Sequence, residues 1–234
     1  MELVLKGLLV LAAVTAVTGT GSADVRADVL VFGGTGRLGA PIVRLLVEAG
    51  YPVTVFARPT SDRSRLAGLD VSYVIGDLID QDSVVEAVAG KQFRFVIDAS
   101  ARRASRDPFY AVAMRNILQA VAASRVHQFI LHGSVGAGEN MQQFPNIRFD
   151  RMRAVMIAKG EAEAMLKASG INYTIIRNGQ VLPDGTPATG TARLSEDVTL
   201  MGTTTRLDLA ALTLQCLDDS DCMNKTYHAV DDSR

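Results

Sequence analysis

Gly33, Gly36 and Gly39 recur at every third position in Gly33-Gly34-Thr35-Gly36-Arg37-Leu38-Gly39. Glycines permit a tight turn and let a ligand approach the main chain, where free N–H groups can meet the charge of a phosphate. The pattern is GxxGxxG rather than the more familiar GxGxxG, so its neighbours have to support the reading. They do. Asp28 to Phe32 is a short apolar run suited to a buried parallel strand. After the turn, Ile42, Val43, Leu45, Leu46 and Ala49 recur at helical spacing up to Gly50. A strand, a glycine turn and a helix in that order form a dinucleotide-phosphate site. Gly33 and Gly36 would admit the pyrophosphate and Gly39 would let helix and strand pack closely. Thr35, Arg37 and Leu38 complete the turn, and Pro41 falls in the first helical turn, where a missing N–H costs little. The alternative is a purely structural turn.

Arginines form the next group. Arg58 ends a second apolar strand, where a dinucleotide fold reads the adenosine ribose. An NAD site would carry a carboxylate there, whereas this chain has Ala57-Arg58 followed by Arg63 and Arg65. Guanidinium donors suit a 2′-phosphate, so NADP is expected over NAD, the competing reading being an exposed loop arginine. Arg102, Arg103 and Arg106 follow a fourth strand and could clamp an anionic substrate or the cofactor phosphates, or simply be solvated. Cys216, Cys222 and the scattered His127, His132 and His228 make no metal set. His132, inside an apolar strand, reads as a satisfied core histidine. The cysteine pair could close a small loop in an oxidising compartment or remain two thiols in a reducing one.

These residues need a scaffold, and the chain alternates strand and helix to provide it. Strands are expected at Val53–Ala57, Val71–Ile75, Phe93–Ala99, Gln128–His132, Asn172–Ile176 and Thr226–Val230. Helices are expected at Ser83–Val88, Phe109–Ala123, Met152–Ala168 and Leu207–Leu217. This is the α/β class, a doubly wound Rossmann parallel sheet in a single domain, with the ligand outside the carboxyl ends of strands one and four. A short C-terminal substrate-side region, Pro183 to Leu207, would supply most of a small pocket's wall.

The 234 residues are 48% hydrophobic and 21% charged with a net charge of −1. Such a balance gives no reason to expect nucleic acid or an anionic membrane surface as partner. Residues 1–23 read as a leader preceding a domain at 24–234. Lys6 is followed by an apolar core from Leu8 to Val17 and by small residues to Ala23, the pattern of a secretory signal. Export to a periplasmic or extracellular space is therefore expected. An uncleaved membrane anchor and a plain extension of a cytoplasmic protein are the alternatives.

Several stretches together carry a family resemblance: VLVFGGTGRLGAPIVRLLVEAGYPVTVFAR, VIGDLID, NILQAVAASRVHQFILHGSVGA, AKGEAEAMLKASGINYTIIRNG and TRLDLAALTLQCL. In this order they resemble the atypical, NmrA-like branch of the short-chain dehydrogenase/reductase superfamily. The resemblance implies NAD(P) on a Rossmann sheet, with Asp77 and Leu78 flanking the adenine and Ala99 close to the cofactor. It also implies a site at Lys159, Ser134 and Asn116, with Lys159 touching the cofactor ribose or the substrate; a solvated helix lysine is the alternative. In related enzymes a tyrosine four residues before the lysine exchanges a proton as hydride moves. Here that position is Val155, which has no proton to give. Glu163, one turn beyond Lys159, reads as its surface partner at i,i+4.

The expected function is thus an NADP(H)-binding oxidoreductase-like protein acting on a small carbonyl, quinone or flavin acceptor, with the proton drawn from solvent. A catalytically silent nucleotide-holding sensor, assembly factor or accessory subunit is the second reading, favoured by Val155.

Overall fold

Val29 and Val31 turn to one face of β1 (Val29–Phe32) and Leu30 and Phe32 to the other, and all four are fully buried. A strand apolar on both faces needs helices above and below it. The computed structural model, which describes residues 27–102, 108–147 and 149–234, supplies them. The expected leader, with Arg103 and Arg106, lies outside the described residues.

After β1 come α1 (Gly39–Glu48), β2 (Val53–Ala57), β3 (Ser72–Ile75), α2 (Gln81–Val88), β4 (Phe95–Asp98), α3 (Phe109–Val121) and β5 (Gln128–Ser134). Next are α4 (Arg153–Ala168), β6 (Tyr173–Asn178), β7 (Gln180–Val181), β8 (Ala192–Ser195), β9 (Thr203–Thr204), α5 (Arg206–Cys216) and β10 (Lys225–Asp231). The main sheet runs β3-β2-β1-β4-β5-β6-β10-β8. Its pairs are parallel except β8, which lies antiparallel on β10. Helices α1 and α5 pack on one face; α2, α3 and α4 pack on the other. Winding reverses between β1 and β4, so a crevice opens outside their carboxyl ends. Asp80 caps α2 by accepting from Ser83 N (3.3 Å), and Thr205 caps α5 by accepting from Asp208 N (3.0 Å).

Two differences from the sequence reading matter. Strands β5 and β6 run two residues further than expected because Gly133 pairs with Arg177 and Ser134 with Asn178. Ser134 is thereby fixed by a strand instead of a loop. Within Pro183–Leu207, Ala192–Ser195 forms an edge strand, antiparallel on β10, where the sequence reading places no strand. The approach to it is pinned by buried carboxylates: Gly190 N and Thr189 N donate to Asp208 (3.0–3.2 Å), and Thr191 Oγ1 donates to Asp231 (2.9 Å).

At the other end of the strands, Cys216 and Cys222 are joined in a disulfide, α5 having ended at Cys216. Buried Gln128 donates to Cys216 O (2.8 Å) and Thr174 Oγ1 (2.9 Å) and accepts from Asp218 N (2.9 Å), while Thr174 Oγ1 donates to Cys222 O (2.8 Å). The bond and this network tie the α5–β10 connection to the starts of β5 and β6. Among the described residues, no helix is long and apolar enough to cross a membrane.

Replacing both cysteines by serine opens a loop with a sequence separation of 6. Loop-closure entropy for so short a loop predicts a loss of about 2 kcal/mol in unfolding free energy. Urea unfolding of the double variant, compared with the oxidised parent chain, checks this.

Candidate functional site

The glycine turn is built by contacts that exclude side chains. Gly33 has φ +71°, and a Cβ there would lie 2.6 Å from the backbone N and Cα of Ser100. A Cβ on Gly39 would run into the carbonyl oxygen of Gly33. Gly36 differs: it is exposed, and its N–H donates to Gly33 O at 2.9 Å. A Cβ on Gly36 would stand 3.0 Å from that same oxygen, tight but open toward solvent. Thr35, Gly36 and Arg37 form the crest of the turn, and Leu38 packs partly against the core. Helix α1 begins with no side-chain cap and no acidic residue in its first turn. Ala40 N already donates to Gly36 O (3.0 Å) and Pro41 has no N–H, which leaves the Leu38 and Gly39 N–H groups for an anion.

Beside this turn the arginines after β2 separate into different roles. Arg63 stacks its guanidinium 4.6 Å from the Tyr73 ring centroid, and Arg65 pairs with Asp184 at 3.1 Å. Arg58 is exposed; its backbone closes a turn with Ser61 (Arg58 N to Ser61 Oγ 3.1 Å, Ser61 N to Arg58 O 3.0 Å). Its guanidinium makes no ion pair among the described residues. Past β3, Asp77 Oδ1 accepts from Ile79 N (3.3 Å) and Leu78 is buried. Buried Asn116 on α3 donates to Leu78 O at 2.8 Å, so the structure engages it with the Asp77–Leu78 segment and not with Lys159 or Ser134. Ala99, just beyond β4, is buried and donates to Phe32 O (3.0 Å).

The second half of the site is a narrow crevice where β4, α3, α4 and β5 meet, lined by Asp98, Ser100, Tyr110, Gly133 and Lys159 among others. Lys159 Nζ donates to Ser134 Oγ at 2.8 Å and lies 4.6 Å from the Tyr110 ring centroid. Burial pulls the Lys159 ammonium down to about 8, opposed by the charges of Asp98 and Glu163. The Tyr110 phenol is occupied, accepting from Arg102 N (3.2 Å) and donating to Arg102 O (3.3 Å), and burial raises its pKa. It offers Lys159 a ring face rather than a proton. Gly160 beside Lys159 packs directly on the Gly138 backbone, where a Cβ would collide, so the segment after Ser134 is seated on α4.

Glu163 is not a surface partner of Lys159. It is 3% exposed and takes a forked ion pair from Arg177 of β6 (Nη2 to Oε2 2.6 Å, Nε to both oxygens 3.2 Å). The i,i+4 reading fails because this face of α4 lies against the sheet, where the absent side chain of Gly133 leaves room for the carboxylate. Val155 is buried, as hydrocarbon should be. His132 is a satisfied core residue: Nε2 meets Thr213 Oγ1 at 2.9 Å and Nδ1 meets Asn178 Oδ1 at 3.4 Å, and burial lowers its pKa to about 4.

Asp98 is a site residue that sequence reasoning misses. It closes the buried strand Phe95–Asp98, is 6% exposed, and accepts from Ser100 N at 2.8 Å. A carboxylate ending an otherwise apolar run is the available signal, because a buried charge requires a partner.

Residues 33–220 match the family described as NAD(P)H-binding. The chain is 32% identical to the photosystem II assembly factor Ycf39 of Cyanophora paradoxa over 64% of its own length and 44% of that protein's. It is 28% identical to "Probable pinoresinol-lariciresinol reductase 3" of Arabidopsis thaliana, over 87% of this chain and 67% of that one. The chain thus spans less than half of the first relative and about two thirds of the second. Among solved structures, ChuY, an anaerobillin reductase from Escherichia coli O157:H7, superposes with a TM-score of 0.74 at 23% identity. That superposition covers 88% of this chain and 98% of the other and shows the shared fold.

The three glycines can be told apart experimentally. Gly36→Val should leave the thermal unfolding profile nearly intact while abolishing NADPH binding, read by fluorescence titration, because its side chain would occupy the crest rather than the fold. Gly39→Val should instead fail to fold.

Proposed function

The chain belongs to the NAD(P)H-binding family, and on that premise we propose that it is an NADPH-dependent reductase of the atypical short-chain branch, acting on a small carbonyl, quinone or flavin acceptor. The observation that carries this is the Lys159–Ser134 pair, hydrogen-bonded at 2.8 Å in a crevice next to the glycine turn. The residues present fit a dinucleotide: the cradle at Gly33, Gly36 and Gly39 is one that side chains would fill, and α1 opens uncapped beside it. Arg37 and Arg58 would meet the phosphates, with Asp77 and Leu78 toward the adenine.

A bound nicotinamide supplies the hydride. The chain's own part is to deliver the proton and exclude stray water. Val155 cannot donate, and the Tyr110 hydroxyl is committed to Arg102. Lys159 remains: its ammonium, held between Ser134 Oγ and the Tyr110 ring, can give a proton to the acceptor's reduced oxygen or nitrogen and regain one from solvent. This replaces unassisted delivery from solvent by a named group.

The 2′-phosphate preference rests on Arg58. Of the arginines after β2, Arg63 and Arg65 are occupied by Tyr73 and Asp184, whereas the Arg58 guanidinium is available at the strand's end. NAD use would leave that guanidinium without a role. A second reading, a nucleotide-holding assembly factor that performs no chemistry, is supported by Val155 and by the likeness to Ycf39. Export is also proposed, from the signal-like first 23 residues together with the Cys216–Cys222 bond, which persists in oxidising compartments. Cell fractionation that found the chain only in the cytoplasm with both thiols reduced would refute it.

Arg58→Ala should weaken NADPH roughly tenfold to a hundredfold, the worth of a charge-assisted contact, and NADH hardly at all. Calorimetric titration with both cofactors decides; equal losses would remove Arg58 from phosphate recognition.

Turnover of a quinone or ketone with NADPH should fall as pH rises through about 8, where Lys159 loses its proton. The sign follows from the ammonium being the acid: reduction needs the form present below the pKa. Lys159→Met should cost roughly 10²–10⁴-fold in kcat. Tight NADPH binding without turnover of any acceptor by the unaltered chain would favour the assembly-factor reading.

A further inference from the structure

Asp98 stands where the two halves of the site touch. It closes β4 at the point of winding reversal, and its Oδ1 accepts the Ser100 N–H at 2.8 Å. The Ser100 backbone held in this way is the surface that abuts Gly33, where no Cβ fits. On its other side, Asp98 lines the same crevice as Lys159 and Tyr110. One carboxylate therefore borders both the phosphate turn and the buried ammonium.

We propose that Asp98 is a positioning residue for both halves of the site, fixing the Ser100 backbone against the glycine turn and supplying the larger part of the negative charge that faces Lys159 across the crevice. The inference rests on the reductase reading only in naming Lys159 as the acid; the electrostatic pairing does not depend on it.

Of the charges around Lys159, the carboxylates of Asp98 and Glu163 both favour its ammonium, and Asp98 does so more strongly. From α3, Tyr110 presents a neutral ring whose phenol burial keeps protonated. From β5, His132 is neutral at physiological pH, since burial lowers it to about 4. From α4 itself, Glu163 is a carboxylate, but its oxygens are taken by the fork of Arg177 from β6. Asp98, from β4, has no arginine or lysine in a salt bridge with it among the described residues. Burial drives its carboxyl upward and the Lys159 ammonium downward, and each charge favours the other. Ser134 completes the arrangement by accepting from Nζ, and the Tyr110 ring face adds attraction to the cation.

The test uses two substitutions with different chemistry. Asp98→Asn keeps an oxygen for the Ser100 N–H and removes the charge; Asp98→Ala removes both. On cofactor-free protein carrying isotope-labelled lysine, NMR should show Lys159 titrating at least about one unit lower in D98N than in the unaltered chain. Its resonance is identified by its loss in Lys159→Met. An unchanged midpoint in folded D98N overturns the pairing. Should D98N not fold, the reciprocal measurement applies: the Asp98 carboxyl should titrate higher in K159M, and an unchanged midpoint there overturns the proposal equally. For the backbone role, NADPH affinity should fall at least about tenfold further in D98A than in D98N, and equal affinities would overturn that half. If no form bound NADPH, the reductase reading would fail while the Lys159 titration still judged the electrostatic pairing.

Discussion

The close approach of three backbone segments at the ends of β1 and β4 is the constraint on which the rest depends. Gly33 leaves the strand with positive φ and lies against Ser100, while Gly39 starts α1 against the Gly33 carbonyl. No side chain fits at either contact. The result is a helix whose first N–H groups are directed at the place where the sheet's winding reverses. Both the phosphate cradle and the floor of the lysine crevice inherit their positions from it. Asp98, bonded to Ser100 N, is the hinge between them.

The crevice illustrates how a fold makes an ordinary lysine unusual. On a solvated helix Lys159 would keep its charge at any physiological pH. Here β5 runs on far enough to set Ser134 under its Nζ, and the Gly138–Gly160 contact seats the following segment on α4. Removal from water lowers the ammonium toward neutrality, while nearby carboxylates oppose the change. A group poised in this way can release and regain a proton near pH 8, as the proposed reduction would require.

The opposite end of the strands is braced covalently. The disulfide and the buried Gln128–Thr174 network brace the amino-terminal ends of β5 and β6. The carboxyl ends carry Ser134, Asn178 and the short strands β7 and β9. The ligand side thus joins the glycine turn to side chains held on strand β5 and helix α4.

Much of this is legible in the chain itself. Apolar runs of strand length alternating with helical periodicity dictate a parallel sheet covered on both faces, and the glycine spacing after β1 dictates a tight turn into a helix, because both are local consequences of backbone geometry and burial. The satisfied state of His132 can be read for the same reason. Partners across the fold cannot. Spacing alone assigns Glu163 to Lys159, four residues away, yet Arg177, on a different strand, takes it; sequence distance does not say which face of α4 meets the sheet. The same applies to Asn116 reaching Leu78, to Arg65 reaching Asp184 while Arg58 stays available, and to Asp98 meeting Ser100 beside Lys159. Charge and hydrogen-bond pairing is decided by proximity in three dimensions, and only the assembled sheet brings β4, α3 and α4 together at one crevice.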